Sequence, residues 1–200
     1  MVGGNTLFDF WRCISLAEPV PQAVEVKLED FFTKVLSVIG KTTEKQIADL
    51  LKKNKLTISV AESLTGGMIC SRLTTIPGSS DFFIGGIVCY SPRIKVTQVG
   101  ISASLISQYG VVSKEVAIAL AEEIRKRFRT DLGLSATGVA GPSPLPPAPV
   151  GRVYLALASN QGTEWKELNL QGTRNEIREK AAQAALGLLW LHLGGEEVLS

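Results

Sequence analysis

The sequence predicts a layered α/β fold with a mainly parallel sheet and one antiparallel hairpin. Short apolar segments rich in β-branched residues alternate with segments whose apolar residues recur every three or four positions. The first pattern is typical of buried strands and the second of amphipathic helices. Because parallel strands need long crossover connections, this alternation favours a sheet covered by helices. Five strands are expected, the last two forming the hairpin, at residues 56–61, 82–90, 132–137, 153–158 and 164–170.

Local capping signals place the helices between these strands. Ser113 precedes an amphipathic segment over 114–128, and Thr173 precedes the last helix. Serine and threonine are favoured there because their oxygens accept hydrogen bonds from the first free N–H groups. Ser91-Pro92 is typical of an N-cap and the first helical position. The remaining helices are expected over 28–39, from Thr43, over 67–75 and over 103–109.

Length and composition narrow the class of protein. The 200 residues fit one domain at 43–195, an appendage of uncertain structure at 1–42 and a tail at 196–200. Hydrophobic residues make up 45 % of the chain, so a large core is possible. A formal net charge of +2 argues against broad nucleic-acid binding, which needs a basic surface. No apolar run is long enough to span a membrane, and no secretory signal is evident.

Cysteine and histidine are too few for most metal sites and disulfide frameworks. The three cysteines, Cys13, Cys70 and Cys89, show no CxxC spacing, which is typical of a protein of the reducing cytoplasm. His192 is the single histidine, which excludes histidine metal clusters and most histidine-dependent catalytic triads. We therefore expect no metal and no cofactor, and any nucleophile would need a base other than a typical histidine.

The stretch 59–68 joins the first strand to the next helix, and its residues 62–67 carry one carboxylate, two hydroxyls and two glycines. A serine on a sharp strand-to-helix turn, here Ser63, can place its oxygen in a cleft at the end of a sheet. The following helix offers N–H groups to an anion. Taken alone, however, the stretch fits an ordinary helix N-cap better than a catalytic site.

Two further strand ends are expected to bring reactive groups to the same edge of the sheet. In α/β folds the carboxyl ends of parallel strands face the ligand crevice. Tyr90 ends one strand, Lys95 lies about one turn into the following helix, and Thr137-Gly138 ends another strand. This convergence favours a functional site over a simple cap at Ser63.

These residue types support acyl transfer. A lysine kept neutral by burial, here Lys95, can take the proton of Ser63, and Tyr90 can relay that proton or hold the serine oxygen. Amide groups around 65–67 can form the oxyanion hole. Each residue also fits a role without catalysis. Lys95 could be an exposed lysine on a helix, and Tyr90 an ordinary aromatic residue of a strand.

Six short motifs and one lysine occur in order along the chain. They are AESLTGG at 61–67, PGSS at 77–80, GGIVCYS at 85–91, Lys95, GVVS at 110–113, TGVAGP at 137–142 and PVGRVY at 149–154. Together they resemble the C-terminal domain of the CinA (competence/damage-inducible) family over roughly residues 43–195. That domain also occurs alone as a bacterial nicotinamide-nucleotide amidase.

The resemblance implies a three-layer α/β/α sandwich with a mainly parallel mixed sheet. It also implies hydrolysis of nicotinamide mononucleotide to nicotinate mononucleotide and ammonia, a step of pyridine-nucleotide salvage. Ser63 would be the nucleophile, with Tyr90 and Lys95 as its activating partners. The partners implied are a small-molecule nucleotide and a second copy of the chain, because family members commonly form dimers.

The resemblance further implies a set of substrate-binding positions. They are Thr65, Gly66, Gly67, Thr137, Gly138, Gly141, Arg174 and Arg178. The glycine turns would face the nucleotide. The two arginines match basic positions on the family's last helix and would meet the phosphate, although they equally fit surface charges.

One segment departs from the family pattern. Where the family usually runs through several glycines, residues 142–149 read PSPLPPAP. Proline fixes φ and removes N–H donors, so this loop would be stiffer and poorer in donors for a phosphate. A non-catalytic nucleotide-binding or interaction module is therefore the alternative function.

Overall fold

The computed structural model describes residues 44–195. The expected appendage at 1–42, its helix over 28–39 and the tail at 196–200 lie outside the described residues.

A five-stranded mixed sheet forms the centre of the domain, with the strand order β2-β1-β3-β4-β5. The strands are β1 Ile58–Glu62, β2 Phe83–Val88, β3 Leu132–Gly138, β4 Arg152–Ser159 and β5 Gly162–Asn169. β1 pairs in parallel with both β2 and β3. The expected antiparallel hairpin is confirmed as β4 and β5, and β4 also pairs antiparallel with β3.

Helices cover both faces of this sheet. They are α1 Glu44–Lys53, α2 Met68–Leu73, α3 Pro92–Ile94, α4 Ala103–Tyr109, α5 Lys114–Phe128 and α6 Arg174–His192. Ser79–Asp81 forms a 3-10 turn, and Lys95–Val99 continues α3 as a π-helix. The predicted caps are confirmed: Ser113 accepts from Val116 N, and Thr173 forms a capping box with Glu176.

Two hydrophobic cores separate the layers. On one face, α1, α2 and α6 pack against alternate residues of the central strands, among them Val60, Leu134 and Leu155. On the other face, α5 packs on β1, β3 and β4. A Cβ at Gly133 would lie 2.1 Å from Ala121 O, so only glycine lets α5 approach β3 this closely.

The parallel pairing determines where functional side chains gather. Because β1, β2 and β3 run in the same direction, their carboxyl ends meet at one edge of the sheet. Ser63 directly follows β1, and Thr137 and Gly138 end β3. β2 ends at Val88, earlier than predicted, so Tyr90 lies in the connection and Lys95 begins the π-helix.

Candidate active site

Ser63 opens a tight turn between β1 and α2. Its N–H donates to Ala136 O of the neighbouring strand at 2.9 Å, and its carbonyl accepts from Gly66 N at 3.1 Å. Gly66 and Gly67 have φ values of 63° and 98°, a left-handed conformation that glycine adopts without steric cost. The glycines thus allow the chain to reverse direction. Ser63, the first residue of the turn, is 8 % exposed.

The Lys95 amine meets the Ser63 hydroxyl. The distance from Lys95 Nζ to Ser63 Oγ is 2.9 Å, and Nζ also donates to Cys89 O at 2.6 Å. Lys95 is 1 % exposed and forms no ion pair with any carboxylate of residues 44–195. Burial lowers the pKa of this amine from its ordinary value, because desolvation disfavours the ammonium form.

This geometry gives Lys95 the properties of a base. A neutral amine has one lone pair and two N–H donors. Donation to Cys89 O uses one N–H, and the lone pair can then accept the proton of Ser63. The bond to Cys89 O therefore fixes the amine in the orientation that deprotonation of the serine requires.

Tyr90 and Arg174 meet at the mouth of the site. Tyr90 is 57 % exposed, and its hydroxyl accepts from Arg174 Nη2 at 2.6 Å. The other terminal nitrogen of Arg174 donates to Gly141 O. Tyr90 makes no hydrogen bond to Ser63 or Lys95; the arginine instead ties the tyrosine to Gly141, which directly precedes the Pro-rich loop.

A cavity of about 200 Å³ brings most of the predicted residues together. Its predicted members are Ser63, Tyr90, Lys95, Thr137, Gly138, Gly141 and Arg174. Val111, Val112 and Leu145 add an apolar wall that the sequence analysis did not assign to the site. The backbone of the Pro-rich loop is fixed there by paired hydrogen bonds between Leu145 and Ala148.

Four predicted substrate-binding residues do not line this cavity. Gly66 and Gly67 line a separate depression beside α2, and Thr65 is fully buried, its hydroxyl without a partner among residues 44–195. Arg178 donates to the carbonyls of Leu64 and Thr65 at 3.1 and 3.2 Å, so it stabilises the backbone of the turn that follows Ser63. Their contact with substrate stays a prediction.

Glu62 is the residue that the sequence analysis missed. Its buried carboxylate accepts from Gly67 N at 2.9 Å, Ile69 N at 3.2 Å and Cys70 N at 2.8 Å. Together with the bond from Gly66 N to Ser63 O, these bonds occupy the Gly66 and Gly67 amides, two of the groups expected around the oxyanion hole. A carboxylate at the end of an apolar strand was the available signal, since a buried charge needs partners.

Residues 44–195 contain neither a candidate metal centre nor a membrane-spanning helix. No group of three or more histidine, cysteine, aspartate or glutamate side chains is arranged to hold a metal ion. No helix in the same range is both long and apolar enough to cross a membrane.

Comparison with known proteins decides the family. A sequence model described as the CinA C-terminal domain matches residues 40–193. The chain belongs to this CinA family. CinA-like proteins of Kosmotoga olearia and Dictyoglomus thermophilum are 42 % and 45 % identical to it over 169 and 152 residues. These matches cover 84 % and 75 % of this chain but 40 % and 37 % of those proteins, so the chain spans about two fifths of their length.

Solved CinA-superfamily structures share the fold. The competence/damage-inducible protein CihA of Agrobacterium tumefaciens is 30 % identical, with a TM-score of 0.68 over 82 % of this chain and 96 % of that one. The competence or damage-inducible protein of Enterobacter asburiae is 25 % identical, with a TM-score of 0.74 over 76 % and 99 %. The expected α/β/α sandwich is thereby confirmed.

Proposed function

We propose that this CinA domain is an amidohydrolase that deamidates nicotinamide mononucleotide to nicotinate mononucleotide and ammonia. The observation that carries the proposal is the 2.9 Å contact between Ser63 Oγ and the buried amine of Lys95. A buried lysine without a carboxylate partner is costly to a fold, and such groups are characteristic of catalytic sites.

Catalysis would begin with transfer of the Ser63 proton to Lys95 Nζ as Ser63 Oγ bonds to the carboxamide carbon. The carbonyl electron pair moves onto oxygen. Lys95 then gives this proton to the amide nitrogen, the C–N bond breaks, and ammonia leaves. Water attacks the resulting ester and loses a proton to Lys95. Lys95 returns that proton to Ser63 Oγ as the carboxylic acid departs.

Leu64 supports this reaction as an oxyanion donor. Its N–H immediately follows the nucleophile, belongs to a residue that lines the cavity, and donates to no acceptor among residues 44–195. A backbone N–H at this position is the common oxyanion donor of serine hydrolases. The amides of Gly66 and Gly67 are already engaged, so Leu64 N replaces them in this role.

The size and charge of the cavity support an amide that carries an anionic tail. About 200 Å³ accommodates the nicotinamide ring, while ribose and phosphate would extend toward the mouth. Among the residues of 44–195 that line the cavity, Arg174 is the one cation besides Lys95. Its guanidinium would pair with the phosphate there, because arginine matches phosphate geometry.

Ammonia release from nicotinamide mononucleotide by the purified protein, compared with Ser63→Ala, tests the proposal. We expect turnover by the parent protein and none above background by the variant. Equal rates would remove Ser63 from the mechanism. Absence of turnover by the parent protein would reject the substrate.

The Pro-rich loop favours a second candidate function, a non-catalytic nucleotide-binding module. Residues 142–149 contain five prolines and hence few N–H donors for a phosphate. Thermal shifts with a panel of nucleotides distinguish the two functions. Stabilisation without turnover supports the binding module, whereas turnover supports the amidase.

The proposal also includes the partner and the compartment. We place the protein in the cytoplasm as a homodimer, without nucleic-acid or membrane partners. Among residues 44–195 β2 is an edge strand, which supports the dimer, since Ile84 and Val88 are exposed there and unpaired strand edges readily associate. Light scattering coupled to gel filtration tests it, and a monomeric mass would reject the dimer.

A further inference from the structure

The carboxylate of Glu62 is fully buried and takes no part in the proton transfers above. Burying a charge is costly unless hydrogen bonds compensate for the lost hydration. Glu62 has that compensation, because Oε2 accepts from Gly67 N and Ile69 N, and Oε1 accepts from Cys70 N. All three donors lie at the far end of the turn that begins with Ser63.

The side chain of Glu62 therefore closes the turn into a ring. The chain leaves Glu62, passes Ser63, reverses at the two glycines and returns to the Glu62 carboxylate through Gly67 N at 2.9 Å. A closed ring permits fewer backbone conformations than an open turn, so the direction of the Ser63 side chain is restricted.

The main chain of Glu62 supports the base as well. Its carbonyl oxygen accepts from Cys89 N at 2.7 Å and from Cys89 Sγ at 3.3 Å. The carbonyl of Cys89 in turn accepts from Lys95 Nζ at 2.6 Å. One residue thus holds the nucleophile through its side chain and the base through its backbone.

We propose that Glu62 is the positioning residue that aligns the hydroxyl of Ser63 with the amine of Lys95. The inference rests on the proposed role of Ser63 as nucleophile and adds the group that holds it in place. Glu62 acts on the distance and angle between the two catalytic groups, and it exchanges no proton with the substrate.

The chemistry of the carboxylate makes this role specific. An ionised carboxylate only accepts hydrogen bonds, and here both oxygens face N–H donors. In Glu62→Gln one oxygen becomes an NH₂ donor that faces another donor, so at least one bond is lost at unchanged size. In Glu62→Asp the charge remains, but the side chain is one methylene too short to reach all three amides.

Reaction of Ser63 with phenylmethanesulfonyl fluoride tests the proposal without the natural substrate. Mass spectrometry of the Ser63 peptide gives the rate of modification across a pH series. We expect Glu62→Gln to lower the rate about 10- to 100-fold at every pH and to leave the midpoint of the pH profile, set by Lys95, unchanged. Glu62→Asp should retain an intermediate rate. Glu44→Gln, a carboxylate bound to Arg72 at the other end of α2, is the matched control and should react as the parent protein does.

The outcomes separate this inference from the proposed function. If the parent protein reacts and Glu62→Gln, folded by circular dichroism, reacts equally fast, the positioning role is wrong and the serine mechanism stands. A shifted midpoint with an unchanged plateau rate would also overturn it, since Glu62 would then act on the charge of Lys95. An unreactive Ser63 in the parent protein overturns both. Should the variants fail to fold, hydrogen exchange of the parent protein decides, because rapid exchange at Gly67, Ile69 and Cys70 would exclude a closed turn.

Discussion

The amine of Lys95 lies 2.9 Å from the hydroxyl of Ser63, although the two residues are 32 positions apart in the chain. They meet because the segments that carry them follow neighbouring parallel strands, β1 and β2. Lys95 has no ion-paired carboxylate among residues 44–195, and burial is the largest influence on its pKa, which it lowers. The tendency of this amine to be neutral thus arises from packing around one side chain.

The activity should rise with pH as Lys95 loses its proton. Because burial lowers the pKa of Lys95, the neutral fraction grows as pH increases through that lowered value, and the midpoint of the profile should lie below 10.5. Ammonia release over a pH series measures this profile. Lys95→Arg is the control, since a guanidinium stays charged and should lower the rate about 10²-fold or more at every pH. A midpoint at or above 10.5 would contradict the prediction.

Lys95 should also make the stability of the domain depend on pH. Between its lowered folded pKa and the unfolded value near 10.5, the unfolded chain binds a proton that the folded chain does not. The free energy of unfolding contributed by this residue therefore rises with pH in that window, by up to about 1.4 kcal/mol per pH unit, and falls as pH drops. Urea unfolding of the parent protein and of Lys95→Met at several pH values measures the slope. Identical slopes in the two proteins would contradict the prediction.

Arg174→Ala should weaken substrate binding more than it slows the chemical step. The change removes the tie between Tyr90 and Gly141 and the cation proposed for the phosphate. We expect KM for nicotinamide mononucleotide to rise about tenfold or more with a smaller change in kcat. Steady-state kinetics measure both constants, with Arg93→Ala, an exposed arginine outside the cavity, as the control. An unchanged KM would remove Arg174 from substrate binding.

Leu145→Gly should reduce the preference of the site for planar aromatic amides. Leu145 is a large apolar side chain, 47 % exposed, that lines the cavity with Val111 and Val112. An apolar contact of this size is worth about 1–2 kcal/mol, so we expect roughly a tenfold loss of kcat/KM for an aromatic amide relative to an aliphatic one. Ile84→Gly, exposed but outside the cavity, is the control. Equal losses for both amides would show that Leu145 does not select the substrate.

Local signals in the sequence were sufficient for most of the fold. Caps such as Ser113 and Thr173 depend on the residues next to them, and the helices begin where these residues predict. The convergence of Ser63 and Lys95 was also predictable, because the ends of parallel strands meet at one edge of a sheet.

The partners of the charged and phenolic side chains were less predictable. Glu62 and Arg178 bind backbone groups that the folded turn brings to them, and no local pattern encodes that return. Tyr90 was expected beside Ser63 but bonds to Arg174, 84 positions away, because the edge of the sheet leaves it exposed. Side-chain direction of this kind depends on tertiary packing, which the linear pattern does not contain.

The position of β2 determines which part of the protein would unfold first on heating. Among residues 44–195 this strand pairs on one side only, and the connection that follows it carries both Tyr90 and Lys95. Edge elements open locally at a lower free energy than the centre of a fold. Opening of β2 would separate the base from the nucleophile while α5, α6 and the other four strands stayed folded. On heating, the reactivity of Ser63 would then be lost at a lower temperature than the helical content of the domain. Loss of Ser63 reactivity would therefore be the earlier sign of partial unfolding.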